Sequence, residues 1–275
     1  MSGFDRRSLL AMTGLGMLAS ALPLPQVNAA PGTPAASGHY IFVDEFDGPA
    51  GSAPNPAKWA IQNWQDNVFP PVDGIYRDNR ENVFLDGNSN LVIRATKDED
   101  DYYTGKVRGT FRGMMNTTWE SRIKLDCVRP GMWPAFWAVN EDPLPDGEVD
   151  IFEWYGNGNW APGTTVHAAS NGRTWEGKKI SGMIDDQWHT WRMHWGNDGF
   201  AFWRDYTDGA KPYLSVPNKP IHIMGGGPND VRWPFNAPGY WMTPMFNLAV
   251  GGVGGGDPAD SPFPASMLVD YLRIW

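Results

Sequence analysis

The chain has 275 residues, 41% of them apolar and 19% charged, which is enough to bury a core and too little charge for a solvated, disordered chain. Lys and Arg number 22 against 31 Asp and Glu, a net charge of −9 that repels polyphosphates, so nucleic acid is excluded as a partner. Thirty-two glycines and 24 prolines break the chain too often for long helices, and a single cysteine, Cys127, excludes an intrachain disulfide framework or a cysteine-cluster metal site.

In chain order, residues 1–30 read as an export signal. Arg6 and Arg7 precede an apolar run from Leu9 to Leu24, and Val27-Asn28-Ala29 offers small residues for cleavage. The arginine pair before Ser8-Leu9-Leu10 resembles a twin-arginine signal, with a general secretory signal as the alternative. Gly14, Gly16, Pro23 and Pro25 interrupt the run, which argues against a membrane anchor. Residues 31–37 form a short lead-in, and one domain is expected over residues 38–275.

From His39 onward, short apolar and aromatic runs alternate with turn signals, a pattern of strands. Predicted strands are Tyr40 to Phe46, Asn90 to Thr96, Thr117 to Asp126, Trp133 to Asn140, Glu148 to Tyr155, Thr164 to Ala169, Trp188 to Trp195, Phe200 to Tyr206, Trp241 to Val250 and Leu268 to Trp275. WHTWRMHW followed by NDG and a second apolar run is the strongest hairpin. So many strands without helical patterns predict two packed antiparallel sheets or a barrel. The stretches Gly225 to Pro228 and Gly251 to Gly256 lack the ending of a phosphate cradle and read as surface loops. Cys127 reads as a small buried apolar residue.

The stretch PDGEVDIFEWYG sets Glu148, Asp150 and Glu153 in an otherwise apolar strand, where acids are depleted. Alternation puts Glu148 and Asp150 on one face and Glu153 on the other. One bulge near Ile151-Phe152 would return Glu153 to the same face. The outer carboxyls would then lie roughly 5 to 6 Å apart, near the separation of a retaining glycosidase. Glu148 would be the nucleophile, Glu153 the acid and base, and Asp150 the group that tunes both. The residues alone leave open a solvated acidic face, or a calcium site built from the same oxygens.

GEVDIFE resembles the Glu-x-Asp-x-x-Glu signature of glycoside hydrolase family 16. Further pieces resemble that family in order: FVDEFDG from Phe42, Glu81-Asn82-Val83 with Asn90-Leu91-Val92-Ile93, SRIKL from Ser121, GMWPAFWAV from Gly131, FNLAVGG from Phe246 and MLVDYLRIW from Met267. The details are most like bacterial endo-β-1,3-glucanases, or laminarinases. The resemblance implies an all-β jelly-roll sandwich of two antiparallel sheets with a concave cleft for polysaccharide, and the same three catalytic acids. By the same resemblance, Trp133 stacks on a sugar, His167 lies near the acid and base, and Asn82 hydrogen-bonds sugar hydroxyls. Trp137 and Trp154 are candidate cleft residues, as are Trp241 and Asn247. Lys106 stands where the family usually has an arginine, keeping the charge without the fork, and Arg108 or Arg112 could replace that contact. A structural calcium would use Glu45, Gly87 and Asp270, against the alternative of a salt-bridged Asp270; catalysis requires no cofactor. The implied function is an exported, monomeric endo-glycosidase cutting β-1,3-linked or mixed-linkage glucan by double displacement. The alternatives are a galactan-cleaving hydrolase of the agarase or carrageenase kind, a transglycosylase, or a glycan-binding jelly roll that does not cut.

Overall fold

The computed structural model describes residues 39–64, 72–140, 147–169, 174–222 and 231–275. The predicted export signal, the lead-in and the Gly225 to Pro228 stretch lie outside them. Among the described residues, no helix is long and apolar enough to cross a membrane.

The strands in chain order are β1 (Phe42–Asp44), β2 (Trp59–Ile61), β3 (Ile75–Tyr76), β4 (Val83–Leu85), β5 (Leu91–Asp98), β6 (Asp101–Thr104), β7 (Lys106–Gly109), β8 (Gly113–Met114), β9 (Thr117–Asp126) and β10 (Met132–Val139). They continue with β11 (Glu148–Glu153), β12 (Gly163–Ala169), β13 (Thr174–Lys179), β14 (His189–Gly196), β15 (Gly199–Arg204), β16 (Leu214–Pro217), β17 (Ile221–His222), β18 (Val231–Arg232), β19 (Trp241–Val250) and β20 (Ala265–Ile274). The larger sheet runs β16-β15-β14-β9-β20-β5-β6-β3, with β1 and β4 paired to β20 and β5. The smaller runs β13-β12-β11-β10-β19-β7-β2, with β8 paired to β19. All pairings are antiparallel except β3 with β6. This is a jelly-roll sandwich.

Alternation decides which residues make the core. On β9, Trp119, Ile123 and Leu125 point inward, and Glu120, Arg122 and Lys124 outward. From the smaller sheet, Met132, Phe136, Ala138, Val149, Phe152, Val166, Phe246 and Leu248 are buried in the same cluster. Phe136 and Phe246 are register partners with stacked rings 4.7 Å apart, and Phe152 meets Trp191 of the larger sheet at 4.8 Å. Cys127 is buried, as expected.

The long predicted strands all form, with ends shifted by a few residues. The short strands other than β1 were not predicted, nor was the six-residue β13; β6 and β7 are one run of sequence that changes sheets at Gly105, where a Cβ would come within 2.4 Å of Val83. One correction concerns GGVGGG. It forms a helical turn, Gly252–Gly255, and Gly254 and Gly255 are buried rather than exposed.

Candidate active site

The site lies on the outer face of the smaller sheet, and one irregularity in β11 builds it. Against β10, Phe136 pairs with Phe152 but Trp137 pairs with Asp150, so Ile151 is the extra residue. Against β12, Asp150 pairs with Thr165 and Glu153 with Gly163, the same one-residue excess. The bulge reverses the phase, Val149, Ile151 and Phe152 are all buried, and Glu148, Asp150 and Glu153 share the outer face. The carbonyl that the bulge frees, that of Ile151, accepts from Thr164 Oγ1 at 2.8 Å, and Thr164 in turn meets the Tyr213 hydroxyl at 2.7 Å.

Neighbouring strands fill in the face. Trp133, Ala135, Trp137 and Val139 alternate outward on β10. Trp133 Nε1 donates to Glu153 Oε1 at 2.9 Å. Tyr155 lies two residues beyond Glu153 and so returns to its face; its hydroxyl donates to Oε2 at 2.5 Å. The Trp133 and Tyr155 rings are 5.8 Å apart, and Tyr155 meets the half-exposed Trp160 edge-on at 5.3 Å. Trp137 Nε1 donates to Asn247 Oδ1 at 2.7 Å. Lys106, largely buried, sets its Nζ 5.1 Å from the Trp137 ring centroid and 5.5 Å from that of Tyr76. His167 stands opposite Glu148 in register, with Nε2 3.1 Å from Asp150 Oδ2.

The electrostatics follow from putting three acids in one half-dry place. Burial holds the Glu148 carboxyl well above the usual range, Asp150 adds to it, and His167 and Lys106 pull the other way. Asp150 is raised well above its ordinary value, first by burial and then by the Glu153 charge. Glu153 is raised by burial against the hydrogen bonds from Tyr155 and Trp133, which favour its ionised form. Burial also raises the Tyr155 hydroxyl, so it stays a donor. All three carboxyls are held above their ordinary range, so this face favours keeping a proton, which a general acid needs.

The structure thus brings together Glu148, Asp150, Glu153, Trp133, Trp137, His167 and Lys106. Trp154 is corrected: once pleating resumes after Glu153 it points inward and packs against the core. Asn82 is corrected too. It is fully buried, and its amide donates to the Arg94 carbonyl at 3.0 Å and to Thr96 Oγ1 at 3.1 Å, holding the corner beside Gly105 instead of meeting sugar. Trp241, where β19 begins, carries the Arg112 guanidinium 4.1 Å above its ring.

The calcium set of Glu45, Gly87 and Asp270 does not fit a cation. Both Glu45 oxygens accept from Arg273 at 2.8 Å. Asp270 is the extra residue of a bulge in β20, and its Oδ2 accepts from Arg122 Nη1 at 2.8 Å. Two guanidinium charges already neutralise the acids that were to hold calcium.

Tyr155 and Trp160 were not foreseen, although simple alternation past Glu153 would have pointed to the first. The Gly-rich turn also joins the site: a Cβ on Gly254 would come within 2.3 Å of the Trp133 ring, so the turn lies flat against that indole. Asn157 ties the two loops together, its Nδ2 donating to the Val253 carbonyl at 2.7 Å while its Oδ1 accepts from the Trp160 backbone at 2.9 Å.

The chain is similar in sequence and fold to several known proteins. A solved structure described as an immunostimulatory antigen and pseudo β-1,3-glucanase of Mycobacterium tuberculosis is 51% identical, with a TM-score of 0.81 over 86% of this chain and 99% of that one. The glucan endo-1,3-beta-glucosidase A1 of Niallia circulans is 28% identical over 89% of the chain, which spans 39% of that relative's length. The beta-glucanase of Rhodothermus marinus is 28% identical over 86% of the chain and 84% of its own length. The model of the glycosyl hydrolases family 16 matches residues 74–226, more than half of the sequence, and the chain belongs to that family.

Proposed function

We propose that the chain is an exported, retaining endo-glycosidase that hydrolyses β-1,3-linked or mixed-linkage glucan. The observation that carries this reading is the bulge at Ile151, which turns Glu148, Asp150 and Glu153 to one face beside Trp133. Glu148 attacks the anomeric carbon while Glu153 gives its proton to the departing glycosidic oxygen, leaving a glycosyl ester on Glu148. Glu153, now ionised, takes a proton from water as that water attacks the same carbon and frees Glu148. Asp150, within hydrogen-bonding reach of both glutamates, takes up part of the charge change. Trp133 and Trp137 offer apolar faces to sugar rings. The names of the Niallia and Rhodothermus relatives support glucan as the substrate, and the paired arginines at residues 6 and 7 support export.

A second reading, glycan binding without cleavage, draws on the two donors that occupy both oxygens of Glu153 and on the pseudo-glucanase among the relatives. Reducing-sugar release from laminarin, mixed-linkage β-glucan, agarose and carrageenan separates the two. The expected result is release from laminarin or mixed-linkage glucan, lowered at least a hundredfold by Glu148→Gln. Retained binding with no release from any of the four would overturn the enzyme reading and leave the binder.

A further inference from the structure

Strands β11 and β12 together hold ligand atoms in an arrangement that hydrolysis does not require. Glu148, Asp150 and His167 each offer one ligand atom, and the three lie within 4.8 Å of one another. The side chain of Asp150 is only 4% exposed. Its Oδ2 sits 3.1 Å from His167 Nε2, yet it accepts no hydrogen bond from any described residue, and His167 Nδ1 also lacks a partner. A buried carboxylate oxygen without a donor is costly. The imidazole nitrogen is at hydrogen-bonding distance, yet the pair forms no hydrogen bond. Nothing fixes the tautomer, and a proton on Nδ1 leaves the Nε2 lone pair available to a cation.

One imidazole nitrogen and two carboxylate oxygens are donors that zinc takes, in the number of protein ligands an open site supplies. Imidazole selects against magnesium and calcium, which prefer all-oxygen sites. The face also carries an excess of acids, which a dication offsets. Other histidines compare poorly. His189 has both ring nitrogens engaged, with Asp205 at 2.6 Å and Asp185 at 2.8 Å, and His194 shares a hydrogen bond with Thr118.

We propose that Glu148, Asp150 and His167 bind one divalent transition-metal ion, with zinc the best fit, and that its binding takes Glu148 away from attack on sugar. The binding stands by itself; the inhibition rests on the hydrolase reading.

The test is calorimetric titration of zinc chloride into the full, chelator-treated chain, alongside thermal unfolding. The expected result is one ion per chain, and a melting temperature raised by about 3 to 6 °C at ten times the dissociation constant. Calcium and magnesium at the same concentration give no shift. Glu153→Gln, which removes the acid but no ligand, keeps the binding, so zinc binding is scored even if no glucan is cut. His167→Ala loses the stoichiometric heat, and if that variant fails to fold, Glu148→Gln carries the same expectation. No heat with the unmodified chain, heat that survives in the ligand variants, or heat that disappears in His189→Gln instead would overturn the proposal.

Discussion

A side chain two places beyond an acid on a strand shares its face, and Tyr155 uses that position to hold Glu153 from the side opposite Trp133. Both donors stabilise the ionised carboxylate, while burial works against it. Tyr155→Phe removes one donor to a charged group, worth about 1.5 to 3 kcal/mol, so the Glu153 pKa rises further. The alkaline limb of the pH dependence of kcat/KM on laminarin should then move up by roughly one to two pH units, with the acidic limb in place. A limb that does not move would mean that Tyr155 only packs. Residues of this kind were partly legible: the three acids stood out because acids are rare in apolar strands, and Trp133 because it lies in a recognisable run. Asn82 misled, since a polar residue near a strand end reads alike whether it meets sugar or pins a corner. Glu45 and Asp270 misled for a related reason, because their arginine partners lie 228 and 148 residues away along the chain.

At the scale of the element, the strand that carries the three acids depends on parity. With Ile151 as the extra residue, five steps along the sequence act as four along the pleat. Deleting Ile151 should therefore leave a regular strand in which Glu148, Asp150 and Glu153 still face outward and Phe152 still faces in. Deleting Val149 should turn Glu148 and Asp150 to opposite faces. The first deletion removes a buried side chain and is expected to cost about 2 to 4 kcal/mol of stability while keeping measurable hydrolysis. The second is expected to abolish hydrolysis. Urea unfolding and laminarin assays on the two deletions check this, and equal loss of activity in both would refute the parity argument. Most strands longer than five residues were legible from alternation, though the six-residue β13 was not, and the need for a bulge was legible from the spacing of the acids. Two- and three-residue strands such as β3 and β8 were not, because their pairing comes from the neighbouring strand and not from their own pattern.

At the scale of the molecule, the site is held against the interest of the fold. A carboxyl whose pKa is raised on folding keeps its proton in the native state at pH values where the unfolded chain has lost it. Stability therefore falls as pH rises from the ordinary carboxylate range through the raised native value. Asp150, raised well above its usual value by burial and by Glu153, contributes such a loss at neutral pH. Asp150→Asn should raise the melting temperature at pH 7.5 by a few degrees and leave it nearly unchanged at pH 4, while activity drops. A lower melting temperature at both pH values would mean that Asp150 is held by favourable bonds and not by the function it serves. The two-sheet architecture itself was legible, from the glycine and proline punctuation and the order of the aromatic runs. How the Gly-rich stretch is used was not, since glycine marks a close approach without saying to what.

That approach makes Gly254 a shim. The Trp133 indole rests on a backbone with no side chain on it, so the height of the platform above the acids is set 121 positions downstream by the absence of a single methyl group. Gly254→Ala should lift the ring, stretch its bond to Glu153 and raise KM for laminarin more than it lowers kcat. A loop of this kind lets the platform be retuned while the strand that holds the three acids stays as it is.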